Sequence, residues 1–269
     1  MSRLIGLLVA LLLPVSTLAA PAPAACQDQF YQGQMPDVKP VGLVQQAVDG
    51  LVVNRNHVIC FSKFGVMESG LTKTPLWSAE HLTADRVNAA KQLKRKNTFH
   101  TEARLPAEDR AELSDFKGTH YDRGHMSPDD DMPDVQSMHE SFSLANMVPQ
   151  DSCNNEIIWK AIETGVRNYV LAHDDVYVVT GPIFDNKDKT IGNGVLVPTR
   201  LFKAVYDPNT NQEVIIVTDN KNTQAFDAIL PDQLAQVTGV NPFPTVTNAT
   251  ALALPPLPHF TGSCKKENE

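Results

Sequence analysis

Two polar clusters, thirty residues apart, constrain this chain more than any other feature. The first is Tyr121-Asp-Arg-Gly-His-Met-Ser-Pro-Asp-Asp-Asp-Met132 and the second is Asn154-Asn155-Glu-Ile-Ile-Trp159-Lys-Ala-Ile-Glu163. The first sets His125 behind a charged pair and a glycine. The second offers an amide and an acid along one apolar-periodic stretch. The fold must hold a base, a neutral oxygen ligand and a carboxylate in one short supersecondary unit if they are to act together.

The second cluster reads as a helix over Glu156–Ala172. Ile158, Ile162, Val166, Tyr169 and Val170 recur at spacings of three and four and form its buried stripe. Asp151 or Ser152 can cap it. Asn155, Trp159 and Glu163 then fall four residues apart on one side, drifting about 40° per step with a rise of about 12 Å from first to last. Helical side chains lean toward the amino end, so Glu163 points back toward Asn155. That reach places Glu163 on a metal-bound water rather than on the ion.

These residue types suit phosphodiester hydrolysis. A neutral imidazole takes a proton from water near neutral pH. Mg²⁺ accepts oxygen ligands and keeps most of its waters, so one amide plus a substrate phosphate is adequate. An arginine holds the charge of the pentavalent phosphorus with a fork of donors, and Arg95 in Lys94-Arg95-Lys-Asn97-Thr-Phe99 is the candidate. Gly124 allows a backbone conformation that other residues resist, and Asp122 can orient a ring or a turn. Arg123 either binds substrate or pairs with a carboxylate. Asn146 is either a turn residue or an organiser of the site. Asp129-Asp130-Asp131 reads as a solvated loop rather than a metal cage, because consecutive acids point in different directions.

Around these clusters the coarse structure is mixed. Leu51–Phe61 reads as a hairpin with a polar turn at Asn54–Asn56. Val176–Thr180, Gly194–Pro198, Phe202–Tyr206 and Glu213–Thr218 read as strands. Leu76–Leu93 and Pro231–Thr238 read as helices. Strands in runs with helices between them argue for an α+β fold on a mostly antiparallel central sheet flanked by helices. The interior has neither an internal repeat nor a composition shift.

The amino terminus opens with Arg3, an uncharged apolar run from Leu4 to Leu13 and a small-residue exit at Ala19-Ala20, the pattern of a secretory signal peptide cut between about 19 and 25. The run is too short to span a membrane, which takes roughly 20 residues. An exported setting, periplasmic or extracellular, is therefore expected. Cys26, Cys60, Cys153 and Cys264 are an even set that favours two disulfides, in any of three pairings. No two lie close enough together for a zinc site. The net charge of −8 becomes −9 once residues 1–20 and Arg3 are removed, which is not the footprint of a tight nucleic-acid binder. The one basic run, Lys91-Gln-Leu-Lys94-Arg95-Lys96, reads by itself as a solvated helix face.

Taken together, the chain resembles the DNA/RNA non-specific endonuclease family, the ββα-metal or His-Me finger nucleases. The matching stretches are Pro75–Leu82, Arg95–Phe99, Tyr121–Met126, Asn146–Gln150 and Asn155–Glu163, with Val178–Pro182, Val197–Thr199, Lys203 and Leu230–Gly239 beyond them. The resemblance implies a ββα-metal finger carrying the site, with His125 as general base and Asn155 as direct Mg²⁺ ligand. It further implies that Glu163 acts through water, that Arg95 stabilises the transition state and that Asn146 organises the His125 region. Asp122 completes the candidate catalytic set, and Arg123 is the candidate substrate contact. Mg²⁺, with Mn²⁺ as a substitute, is the implied cofactor, and DNA and RNA are the implied substrates, cut to leave 5′-phosphates. The implied organisation is a signal peptide over residues 1–20, an amino-terminal extension over 21–49, a nuclease domain over 50–245 and a tail over 246–269. Two other readings share parts of the pattern. One is a metal-dependent phosphodiesterase of small nucleotides, and the other is an inert exported nucleic-acid-binding protein.

Overall fold

Long runs of β-branched and aromatic residues pair into one large sheet, seen here in a computed structural model that describes residues 22–39, 55–185 and 189–260. The signal-peptide stretch, the Asn54 end of the expected hairpin and Cys264 lie outside the described residues. In chain order the strands are β1 (Asp37–Val38), β2 (Asn56–Cys60), β3 (Gly65–Ser69), β4 (Thr74–Leu82), β5 (Tyr121–His125), β6 (Met147–Asp151) and β7 (Val176–Ile183). They continue with β8 (Thr190–Ile191), β9 (Val195–Leu196), β10 (Arg200–Asp207), β11 (Gln212–Asp219), β12 (Asp227–Ile229), β13 (Val240–Asn241) and β14 (Thr250–Ala251). The helices are α1 (Ala84–Ala90), α2 (Leu113–Phe116), α3 (Val135–Ser141), α4 (Lys160–His173) and α5 (Pro231–Thr238).

Among the described residues the main sheet runs β12-β11-β10-β7-β4-β3-β2, with β14 added in parallel to β11 and every other pairing antiparallel. The α+β expectation with a mostly antiparallel sheet is met. Strand periodicity divides the residues between two covered faces. Phe202, Ala204 and Tyr206 of β10 join Trp77, Val179, Ile215 and Val217 under the 22–39 segment and α5, where Cys26, Phe30, Leu234 and Phe243 close the core. Leu201 and Val205 face the other way, toward Ile158, Ile162, Val166 and Val170 at the start and along the length of α4. That second face also carries a polar floor. Ser78, Glu80, Thr180, Lys203 and Thr218 are all buried there.

The 22–39 segment is fastened at both ends. Cys26 is bonded to Cys60 on β2, and β1 pairs with β13. Cys153 is disulfide-bonded as well. Among the described residues no helix is long and apolar enough to cross a membrane.

Several local expectations change. Leu76–Leu93 is not one helix. Its first part is β4, buried on both faces at the centre of the sheet, and Thr83 then caps the short α1 by accepting from Arg86 N at 3.2 Å. Strand β2 pairs with β3 through a turn at Phe61–Phe64, with Phe61 N donating to Phe64 O at 2.9 Å. The basic run 91–96 leaves α1 as exposed irregular chain, not as a helix face. Pro231–Thr238 is the helix the pattern marks, with proline in its first turn and Gly239 in the left-handed conformation at its end.

Candidate active site

Strands β5 and β6 form an isolated antiparallel pair whose register sets His125 opposite Met147 and Asp122 opposite Gln150. The chain then passes through Asn154–Trp159, a wide π-type turn, into α4. Two strands and a helix thus hold both polar clusters. Asp151 starts the turn by accepting from the backbone N–H groups of Cys153 and Asn154, both at 3.0 Å. The expected α-helical start is replaced by a turn that takes up one more residue, a feature often found where a side chain must be re-aimed. Trp159 accordingly leaves the face shared by Asn155 and Glu163. It is 1% exposed and packs in the core, with the buried Lys203 ammonium 5.3 Å from its ring centre.

One cavity of about 630 Å³ gathers the expected residues. Arg95, Asp122, Arg123, His125, Asn155 and Glu163 all line it. Asn146 does not, because it lies fully buried behind the site. Its Oδ1 accepts from Ser127 N and Ser78 Oγ at 3.0 Å each, and its Nδ2 donates to Ser127 O and Ser141 O at 2.8 and 2.9 Å. With all four bonds of the carboxamide satisfied, Asn146 locks the segment that follows His125, while Met126 N donates to Asn146 O at 2.9 Å. Asn146 also ends the short 3₁₀ turn Leu144–Asn146.

Asp122 works sideways. Its two oxygens accept from Ser152 Oγ and Asn155 Nδ2, each at 2.9 Å, which joins β5 to the π turn. This spends the N–H of the Asn155 amide, and among the described residues nothing donates to its Oδ1. An amide oxygen with carboxylates nearby is a hard donor set suited to Mg²⁺, which keeps several waters. Among the described residues no three His, Cys, Asp or Glu side chains gather into a metal cage. The donor set therefore fits a lightly held oxygen-bound cation rather than zinc.

Gly124 is needed for close approach, not for an unusual backbone. A methyl group there would lie 2.0 Å from Gln150 Oε1 and 2.6 Å from Gln150 Cβ. Gln150 in turn donates to Asn154 Oδ1 at 2.7 Å, and Asn154 donates to Asp219 O at 2.7 Å.

His125 is buried between aromatic rings, 4.8 Å from Phe142 and 5.8 Å from Phe99 between ring centres. Burial, then the charges of Arg95 and Arg123, pushes its pKa down to about 3. It is neutral throughout the physiological range, and its Nε2 has no hydrogen-bond partner among the described residues. Arg123 lies over the Phe99 ring at 4.2 Å. Arg123 lines the cavity, and among the described residues it forms no ion pair with a carboxylate. Burial raises Glu163 to about 7 against the pull of Lys203 and Arg167.

The Asp129–Asp131 run is not a solvated loop. It forms a single tight turn with Asp130 outside, while Asp129 and Asp131 are 2% and 3% exposed. Asp131 pairs with Arg167 at 3.1 Å, and Asp129 pairs with Arg95. Sequence reading missed Asp129. It also missed Asn97, Phe99 and Lys160, which share the cavity wall.

The model of the DNA/RNA non-specific endonuclease family matches residues 47–248, most of the chain and the whole of this site. The chain belongs to that family. Its relatives include Nuclease C1 of Cunninghamella echinulata var. echinulata, 34% identical over 58% of this chain and 64% of its own length. A nuclease of Syncephalastrum racemosum is 31% identical over 58% of this chain and 55% of its own length. The mitochondrial nuclease EXOG of Danio rerio is 30% identical over 58% of this chain and 48% of its own length. The chain thus spans between about half and two thirds of these relatives. Among solved structures, a chain from the EndoG/EndoGI complex, described as showing the mechanism of EndoG inhibition, superposes with a TM-score of 0.58 at 25% identity, covering 69% of this chain and 84% of that one. The family's large antiparallel sheet with flanking helices is the architecture seen here.

Proposed function

We propose that this protein is an exported, Mg²⁺-dependent endonuclease that hydrolyses phosphodiester bonds in both DNA and RNA and leaves 5′-phosphates. The observation that carries the reading is the convergence of Arg95, Asp122, Arg123, His125, Asn155 and Glu163 on one cavity. Family membership and the printed names of the relatives support it.

His125 is the general base. Its neutral ring, with Nε2 unengaged among the described residues, is ready to take the proton of an attacking water. Burial first, then the charges of Arg95 and Arg123, lowers its proton affinity, and a substrate phosphate would offset the part that comes from the two cations. Arg95 holds the charge that accumulates on the phosphoryl oxygens. Arg123, backed by Phe99, steadies the adjoining backbone. Asn155 would hold the cation directly and Glu163 would hold it through a water, with Mn²⁺ able to replace Mg²⁺. When bound, the cation supplies positive charge to the phosphate and leaving-group oxygens. Asn146 keeps the His125 segment in place from behind. Export is supported by the amino-terminal sequence pattern and by the oxidised cysteines.

Purified protein lacking residues 1–20 should degrade plasmid DNA and RNA with Mg²⁺ and stop with chelator, while His125→Ala folds but does not turn over. Turnover by that variant at the wild-type rate would remove His125 as the base. Cleavage of dinucleotides but not of polymers would move the substrate class to small phosphodiesters.

A further inference from the structure

Arg95 has little to hold it. It lies in irregular chain beyond α1, and its side chain is 49% exposed. Three contacts fix the guanidinium. Its Nε donates to Asn97 Oδ1 at 2.8 Å, its plane rests 5.2 Å from the centre of the Phe142 ring, and its Nη1 donates to Asp129 Oδ1. Asn97 is exposed, as Arg95 is. Asp129 is different, because its side chain is 3% exposed and sits on the tight turn directly after the His125 segment. The same Oδ1 lies 4.0 Å from His125 Nε2. Its other oxygen, Oδ2, is buried without a hydrogen-bond partner among the described residues.

We infer that Asp129 is a positioning residue that sets Arg95 against the reacting phosphate and fixes its distance from His125. The inference rests on the roles proposed above for Arg95 and His125. Asp129 lines the same cavity as Arg95 and His125 and takes the guanidinium at Nη1, which leaves the Nη2 N–H groups for a phosphate. A buried acid with one unpaired oxygen is unfavourable for stability. Its retention beside two catalytic groups is what a functional constraint leaves behind. Arg95, Arg123 and Asp129 lie close to His125 beside the rings of Phe99 and Phe142, and Asp122, Asp130 and Glu163 line the same cavity.

The test is steady-state cleavage of a defined duplex by Asp129→Asn, Asp129→Ala, Arg95→Ala and the double variant Arg95→Ala/Asp129→Asn, with circular dichroism melts on each. Asn keeps the shape and an acceptor but loses the charge. The expected result is a fall in kcat of about tenfold or more in both Asp129 variants, with KM changed by no more than about twofold and melting temperature equal or higher. The double variant should be no slower than Arg95→Ala alone, because the carboxylate acts through that arginine. Wild-type kcat in Asp129→Asn, a rise in kcat, an effect confined to KM, or full additivity in the double variant would each overturn the assignment. An active wild type with an inactive His125→Ala control separates failure of this inference from failure of the proposed reaction. If Asp129→Asn fails to fold, the Asp129→Ala pair of measurements decides.

Discussion

Asp122 accepts the side-chain N–H of Asn155 at 2.9 Å across thirty-three residues of sequence. The bond joins β5 to the π turn, so the acid of the first cluster holds the amide proposed as the cation ligand in the second.

Asp122→Ala should therefore act through the cation rather than through the base. Loss of a partner that orients a metal ligand typically costs about 10- to 100-fold in metal affinity or activity. The expected signature is a rise in the Mg²⁺ concentration needed for half-maximal cleavage, with partial recovery at high Mg²⁺. An unchanged Mg²⁺ requirement would detach Asp122 from Asn155.

Gly124→Ala tests the close approach of the two strands. Its new methyl group would press on Gln150 Cβ at 2.6 Å, and Gln150 can yield only by releasing Asn154. Overpacking of this kind costs about 1–3 kcal/mol. Thermal unfolding should show the loss, together with reduced cleavage because the π turn shifts. A variant that melts with the wild type would show that the strand pair has room to spare.

Stability should depend on pH through His125 with a definite sign. Its folded pKa of about 3 lies below the ordinary value of 6.5. Between those values the unfolded chain binds a proton that the folded chain refuses, so stability falls as pH drops from 6.5 toward 3, by up to about 1.4 kcal/mol per pH unit. Glu213 runs the opposite way. Burial lifts it to about 7 from 4.5, and stability is lost as pH rises through that window. Urea unfolding in chelator should show His125→Asn gaining on the wild type toward pH 4 and Glu213→Gln gaining toward pH 8. Differences that stay flat across pH would contradict the burial of these groups.

Reduction of the Cys26–Cys60 bridge should lower stability by about 2–4 kcal/mol, the usual contribution of a cross-link closing a loop of this length. Cys26→Ser/Cys60→Ser, compared with the wild type by urea midpoint, measures it. Equal midpoints would mean that the 22–39 segment is held by packing and by β1 alone.

Much of the site was legible because its chemistry is local. His125, Asn155 and Glu163 each stand in a short motif, and the apolar spacing of Ile158, Ile162, Val166 and Val170 shows which side of α4 is buried. What escaped depends on residues far apart in sequence. Trp159 shares a spacing with Asn155 and Glu163, but the π turn rotates it into the core, and no periodicity announces an added residue. Asp129 looked solvated because charge is read as exposure. Its burial depends on Arg95, thirty-four residues earlier, arriving to pair with it. Leu76–Leu93 looked helical because a strand buried on both faces loses its alternation, and the apolar positions of β4 mimic a helical stripe.

The Cys26–Cys60 bond has a consequence for how this protein survives other enzymes. A protease that cuts between the two cysteines divides the chain but frees neither piece. A nicked molecule would run as one species on a non-reducing gel and as two after thiol treatment. For a hydrolase proposed to work outside the cell among other hydrolases, damage at that point leaves the molecule in one piece.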